Sequence, residues 1–219
     1  MDDYLSDEER VEALKKWWLA NYTSVFWGLA LGFAVLTGWN IWQSTQQRKA
    51  EEGSGLYQQL LKAVDAKQAD SASKLSERLI EQFQGSTYAT YGTLFAAKLK
   101  AEAGDQAGAK KVLSDLLASS KDEDIKHLAR LRLGEVLADL GENEAALKLL
   151  EPLKPREMGK YEGLYEALKG DLYASLDRTS EAQAAYELAK EKGENTPLLE
   201  LKINNLAVDS VTTPKAPAQ

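Results

Sequence analysis

YTSVFWGLALGFAVLTGWNIW, residues 22–42, holds 21 positions with no ionisable group except the Tyr22 hydroxyl. At about 1.5 Å per helical residue it reaches about 30 Å, the thickness of a hydrocarbon core. Trp17, Trp18 and Tyr22 stand at one end and Trp39 and Trp42 at the other. That is the placement expected where amphipathic rings sit among lipid headgroups. All five tryptophans fall between residues 17 and 42. The stretch reads as a single membrane-spanning helix.

A cleavable signal peptide would need a basic leader, a shorter apolar run and a small-residue cleavage site. The leader here is acidic, and Gln43-Ser44-Thr45-Gln46-Gln47 offers no such site. The aromatic ends and polar flanks argue equally against a buried helix of a soluble core. The segment is therefore an uncleaved signal anchor. Gly28 and Gly32 form a GxxxG pair within it, and Ala30, Ala34 and Gly38 form a second small-residue row. Such rows let membrane helices approach closely, although small residues are common in membrane helices generally. Gly28 and Gly32 are thus a candidate helix contact with no named partner.

Outward from the anchor, residues 1–21 form an acidic leader in which Ser6 and Glu9 have capping-box spacing. Val11, Leu14 and Trp18 follow at helical spacing, which predicts a short amphipathic helix running to the membrane surface. Arg10, Lys15 and Lys16 precede the span and Arg48, Lys49 and Lys62 follow it, so the basic residues are nearly balanced. The long domain after the anchor decides the orientation, because long domains cross regardless of charge. The N-terminus is expected in the cytosol.

The chain has 219 residues and a net charge of −7. An acidic balance gives no electrostatic footprint for nucleic acid. No cysteine is present, which excludes disulfides, thiolate metal sites and cysteine nucleophiles, and His127 is the single histidine. From Gln43 onward the sequence is rich in Ala, Leu, Lys and Glu with 3.6-type spacing. Pro152, Pro155 and Pro197 sit where helices can start or stop. Residues 209–219 carry too little apolar surface to pack and are expected to be a disordered tail.

Three stretches resemble one another: AEAGDQAGAKKVLSDLL (101–117), ADLGENEAALKLLEPL (138–153) and ASLDRTSEAQAAYELA (174–189). Their alignment stacks Ala109, Ala146 and Ala182, and a looser stretch at 66–80 adds Ala72, at intervals of 37, 37 and 36 residues. Five residues before the last three alanines lie Gly104, Gly141 and Asp177, suited to a turn between two helices. Leu79, Leu116, Leu153 and Ala189, seven after the alanines, are expected on one helix face. Leu113, Leu150 and Tyr186 occupy the large apolar position four after. Gly134 and Gly170 stand twelve before, with Ala97 equivalent. This column spacing resembles tetratricopeptide repeats.

The expected fold is all-α: a transmembrane helix (22–42), then a tetratricopeptide-like solenoid of about four helix pairs (43–208). Residues 43–66 would supply the first long helix, with Gly53 and Gly55 as points of weakness. Thr196 followed by Pro197 is a good helix start, and a capping helix over about 197–208 would use Leu198, Leu201, Ile203 and Leu206 to cover the end.

No catalytic motif emerges, and neither a cofactor nor a metal is expected. Asp122-Glu123-Asp124 and Glu142/Glu144 fall at predicted helix starts, where carboxylates favour the positive dipole end. His127 lies among Ile125, Leu128 and Leu131, as a packed histidine would. Gly53-Ser54-Gly55 lacks the GK[ST] of a phosphate loop. What such a solenoid offers is a groove lined by the first helix of each pair. Counting back from the alanines, the groove candidates are Tyr57 and Leu61, Leu94 and Lys98, Leu131 and Glu135, then Ala167 and Asp171. A partly apolar groove suits an extended or unfolded polypeptide, or a partner's helix.

The leader DxxxxDEERVEALKKWW, here Asp2 to Trp18, the anchor after it and a degenerate repeat domain of this size together resemble one family. It is the YfgM-like ancillary subunit of the bacterial SecYEG translocon. The resemblance implies a bitopic inner-membrane protein with a cytosolic N-terminus and a periplasmic repeat domain. It implies partners: the SecYEG translocon, a membrane-anchored periplasmic chaperone of the prolyl-isomerase type, nascent or unfolded envelope proteins and, in some members, a cytosolic stress-response regulator. The expected function is a non-enzymatic chaperone or adaptor. The alternatives are a scaffold for another envelope assembly machine, a membrane-tethered regulator acting through its leader, and a hydrolase assembled only in space.

Overall fold

The computed structural model describes residues 7–151 and 153–212. The helices are α1 (Asp7–Asp65), α2 (Ala69–Gln82), α3 (Thr87–Glu102), α4 (Gln106–Ser119), α5 (Glu123–Asp139), α6 (Asn143–Leu150), α7 (Pro155–Met158), α8 (Glu162–Ser175), α9 (Thr179–Glu191) and α10 (Pro197–Thr212). A 3₁₀ turn spans Gly159–Tyr161, and no strand occurs among the described residues. Ser6 of the expected capping box, Pro152 and residues 213–219 of the expected tail lie outside the described residues. The chain divides into two compact units, one ending at Gly53 and one beginning at Ser54.

In the first unit, Asp7, Glu8 and Glu9 fill the opening turn of α1, where carboxylates face the positive end of the helix dipole. Its apolar side chains point outward: Leu31 is 70% exposed and Phe33 73%. The helix is long and apolar enough to cross a membrane. Two polar side chains bond to the carbonyl one turn back, the kind of internal partner that a hydrocarbon environment favours. Asn21 donates to the Trp17 carbonyl at 2.8 Å and Thr37 to the Phe33 carbonyl at 2.7 Å. The α1 helix continues through Gly53 and Gly55 without a break.

In the second unit the repeat columns become layers of packing. Ala72, Ala109, Ala146 and Ala182 are each 0% exposed. The turn column takes one backbone form: Gly104, Gly141 and Asp177 have φ of 83°, 75° and 57°. Lys67, the equivalent position before Ala72, joins them at 54°. After each comes an N–H that reaches back across the helix end, closing a Schellman motif. Gln68 donates to the Ala63 carbonyl, Asp105 to Lys100, Glu142 to Leu137 and Arg178 to Tyr173, at 2.8–2.9 Å. The left-handed residue therefore ends one helix and aims the next.

Close approach within and between pairs depends on small residues. A Cβ on Gly134 would stand 2.8 Å from Leu168 Cδ2, and one on Gly170 would enter the Tyr186 ring. The main core runs from Ala97 and Leu113 through Leu133, Leu137 and Leu150 to Tyr165 and Leu172.

Three expectations need correction. Leu153 is not on a helix face: α6 stops at Leu150, and Leu153 follows it, half-buried, donating its N–H to the Leu150 carbonyl at 3.3 Å. Pro152 has no N–H to extend the ladder. The lost turn is made up by α7, begun by Pro155, and by the 3₁₀ turn, so the interval to Ala182 is preserved. The capping helix runs to Thr212, beyond the expected 208. Its covering face is Leu199, Ile203 and Leu206, at i, i+4 and i+7, against Ala182, Tyr186 and Ala189. Leu198 and Leu201 are instead 59% and 55% exposed. The start is as the sequence predicts, with Thr196 Oγ1 accepting from the Leu199 N–H at 3.3 Å.

His127 is a packing residue. It is buried, its Nδ1 lies 2.9 Å from the Tyr165 hydroxyl, and its ring stacks on Tyr161 at 4.9 Å between centroids. Burial raises the Tyr165 phenol above its ordinary range. Asp122 caps α5, accepting from the Asp124 and Ile125 N–H groups at 2.9 and 3.3 Å.

Candidate functional site

The first helices of the pairs turn their small and apolar columns inward and leave a mixed face open. Along that open face three clefts follow one another. One, of about 480 Å³, lies between the end of α1, α2 and α3 and is lined by Val64, Ala72, Lys98, Leu99 and Glu102 among others. The next, about 560 Å³, lies between α3 and α5, with a floor of Leu94, Phe95, Ala97, Leu113, Leu128 and Val136. The last, about 380 Å³, runs between α5, α8 and α10. Adjacent clefts share walls: Lys98 and Glu102 separate the first two, and Leu128, Arg132 and Glu135 separate the second from the third.

Six of the eight sequence candidates line these clefts. Leu94, Lys98 and Glu135 border the α3/α5 cleft, while Leu131, Glu135, Ala167 and Asp171 border the third. Leu131 contributes mostly to the core, being 7% exposed. Tyr57 and Leu61 line none of them. Tyr57 is half-buried in an aromatic cluster with Tyr88, Tyr91 and Phe95, at centroid distances of 6.3, 5.4 and 6.1 Å. It therefore supports the cleft wall at Phe95 from behind. Leu61 is likewise half-buried.

Sequence reasoning missed Leu128 and Arg132, which face two clefts at once. The signal was present: Leu128, Arg132, Glu135 and Asp139 form a 3–4 spaced row on α5. Counting two positions per helix was too narrow a stripe.

Several charged residues of the open face are paired within the domain, while Asp139 and Glu194 add carboxylates to the second and third clefts. Lys98 meets Glu102 at 3.7 Å and Arg132 meets Glu135 at 2.7 Å. Asp171 accepts from Lys202 Nζ at 2.6 and 2.8 Å and from the Tyr186 hydroxyl at 2.6 Å. That carboxylate ties α8, α9 and α10 together. Burial is the main cause that raises the Tyr186 phenol far above its ordinary value, and its bond to Asp171 adds to the effect. No group of three or more metal-ligating side chains occurs among the described residues. The chemistry on offer is apolar contact with a polar rim on which several charges are paired.

On α1, Gly28 and Gly32 are exposed, and a Cβ on either would meet nothing within 4 Å.

Residues 15–208 match the tetratricopeptide repeat-like domain family. The chain is 30% identical over 215 residues to the "Ancillary SecYEG translocon subunit" of Escherichia coli (strain K12), covering 95% of this chain and 100% of that protein. It is 27% identical to the protein of the same description from Haemophilus influenzae, over 92% of this chain and 98% of that one. Among solved structures, "MamA RS-1 ArsTM double mutant" superposes with a TM-score of 0.57, covering 73% of this chain and 85% of that chain. At 14% identity that likeness concerns the fold alone.

Proposed function

Because this chain belongs to the tetratricopeptide-like family of ancillary SecYEG translocon subunits, we propose that it is a non-catalytic adaptor of the Sec translocon. In this reading α1 anchors it once in the inner membrane, with the leader in the cytosol and the repeat domain in the periplasm. The row of clefts takes up newly translocated, still unfolded envelope polypeptides. A membrane-anchored periplasmic chaperone of the prolyl-isomerase type receives them next, and the leader is free to meet a cytosolic stress-response regulator. Gly28 and Gly32 form the helix contact within the membrane.

One observation carries the binding part of the proposal: three clefts in series on the open face of the first helices, with apolar floors and polar rims. Folded proteins fill such faces unless something else covers them. An unfolded chain offers the apolar side chains that fit.

The test is detergent extraction of membranes from cells making a tagged full-length chain, followed by affinity purification. The expected result is co-purification of SecYEG, together with suppression of aggregation of several unrelated envelope proteins by the purified chain. Stoichiometric recovery of one partner with no effect on those clients would replace the adaptor by a scaffold of another envelope complex. A regulator would keep its cellular effect without clefts and lose it on deletion of residues 1–16.

A further inference from the structure

The second and third clefts carry unequal charge. Their walls present three cations and five carboxylates. Three ion pairs use every one of those cations: Lys98 with Glu102, Arg132 with Glu135 and Lys202 with Asp171. Asp139 and Glu194 are left over, one in each cleft, in no ion pair among the described residues. Asp139 is exposed, and its carboxylate accepts from the neutral Gln106 amide at 3.5 Å. Glu194 is half-buried at the edge of its cleft. The lysines of the adjoining turns are already engaged, Lys110 by Glu142 at 2.7 Å and Lys192 by Glu162 at 3.1 Å.

The two carboxylates also stand at opposite ends of the ridge that α5 makes between the clefts. Asp139 is the last residue of α5. Glu194 packs at the start of α8, where its Cβ would lie 3.1 Å from one on Gly163. The starts of α8 and α5 are side by side, since Lys160 meets Asp124 at 3.0 Å and the Tyr165 hydroxyl meets His127 at 2.9 Å. Helical rise along α5 and one helix spacing across to α8 separate Asp139 from Glu194 by about 20 Å. An extended chain covers that distance in about six residues. Resting on the groove reading above, we propose that the second and third clefts together select apolar polypeptide segments with a basic residue on either side. Apolar side chains of the segment enter the two floors, and its flanking Lys or Arg side chains meet Asp139 at one end and Glu194 at the other. Acidic flanks would instead meet a like charge with no neighbouring cation to offset it, which discriminates against them.

The experiment uses the full chain in phosphatidylcholine nanodiscs, with empty nanodiscs as the blank. Three fluorescent peptides share a Leu/Val-rich centre of about six residues, the length that spans the two carboxylates. They are flanked on both sides by Lys, by Gln or by Asp. Anisotropy titrations give their affinities at low and high salt. The native chain should bind the Lys peptide about fivefold more tightly than the Gln peptide at low salt, and the Asp peptide least of the three. The preference should fade at high salt, because the contacts lie at an exposed rim. Asp139→Asn and Glu194→Gln should each reduce it by about twofold, and the double variant should bind the Lys and Gln peptides alike. Glu187→Gln, on α9 and outside the clefts, removes the same charge elsewhere and should leave the preference as it is. Equal native affinities for the Lys and Asp peptides, or a preference that survives in the double variant, overturns the selectivity while leaving the groove in place. Loss of the preference in Glu187→Gln would assign it to the overall charge and overturn it equally. Failure of all three peptides to bind the native chain, with the domain folded by circular dichroism, overturns the groove reading and this inference with it.

Discussion

The glycines of the anchor and those of the repeat domain are the same residue put to opposite uses. At Gly28, Gly32 and Gly38 an added Cβ would meet nothing within 4 Å. At Gly92 it would meet Leu79 Cβ at 2.9 Å, at Gly134 Leu168 at 2.8 Å, and at Gly170 the ring of Tyr186. In the repeats the missing side chain is already replaced by a neighbour from the partner helix or the next pair. In α1 the space beside these glycines is open, as the proposed membrane contact requires. The surrounding apolar side chains follow the same division, outward in one unit and inward in the other. A hydrophobic sequence thus states how much apolar surface there is, and the length of the uninterrupted run states which solvent receives it.

The largest effect should come from filling an occupied space. Gly170→Ala is expected to destabilise the repeat domain by about 3 kcal/mol, because a Cβ inside an aromatic ring forces the α8/α9 pair apart. Urea unfolding of a 54–219 fragment followed by far-UV circular dichroism measures it. A loss below about 0.5 kcal/mol would mean that the pair is loosely packed and that the contrast with the anchor is false.

Next in size is the tie that closes the C-terminal end. Tyr186→Phe removes the hydrogen bond to Asp171 and should cost about 2 kcal/mol at neutral pH, the range for bonds to a charged acceptor. Its phenol is raised in the folded state, so folding favours the neutral form. The stabilisation is complete below the unfolded-state value near pH 10 and is lost as pH rises through the folded value. The native domain should therefore weaken steeply above about pH 10, and the Phe variant less so. Equal alkaline slopes would remove Tyr186 as the cause.

A gain is expected at Lys67, the one turn of the four where a long side chain is forced into the left-handed region, at φ 54°. Lys67→Gly should stabilise by about 1 kcal/mol, since a Cβ is penalised there and Gly is not. Thermal melts of the two variants decide this, and a lower melting temperature would show that Lys67 is held by contacts outweighing the backbone term. The smallest effect belongs to the anchor. Gly32→Val should leave the urea stability of the repeat domain within about 0.5 kcal/mol while reducing recovery of membrane partners. Unchanged recovery would mean that lipid alone fills the space beside Gly32.

The helix pairs were legible because spacing is a property of sequence: alanines at intervals of 37, 37 and 36 residues became four fully buried positions. The Thr196–Pro197 start was legible for the same local reason. The end of α6 was harder, because the column predicts Leu153 on a helix that has already ended before Pro152. The capping face of α10 was half legible: Ile203 and Leu206 pack as expected, but Leu199 takes the place given to Leu198, since both rows contain leucine and only the seat on Ala182 and Tyr186 chooses between them. On the open face, Lys98, Glu135 and Asp171 could be counted out from the repeat. Arg132 lies one step along the same row, Leu128, Arg132, Glu135 and Asp139, and escapes a count of only two positions per helix. The pairing of Asp171 with Lys202, 31 residues away, is likewise invisible until the chain has folded.

The central claim, that the clefts receive polypeptides in transit, is tested most directly by a photo-crosslinker at Arg132 in living cells. That position stands between two clefts and is exposed. Lys111 on α4, also exposed and outside all three clefts, is the control. The account predicts that Arg132 captures many newly exported envelope proteins, identified by mass spectrometry after a short pulse of labelling, and that Lys111 does not. Identical capture from both positions, or none from Arg132 in a folded and membrane-inserted chain, would contradict it.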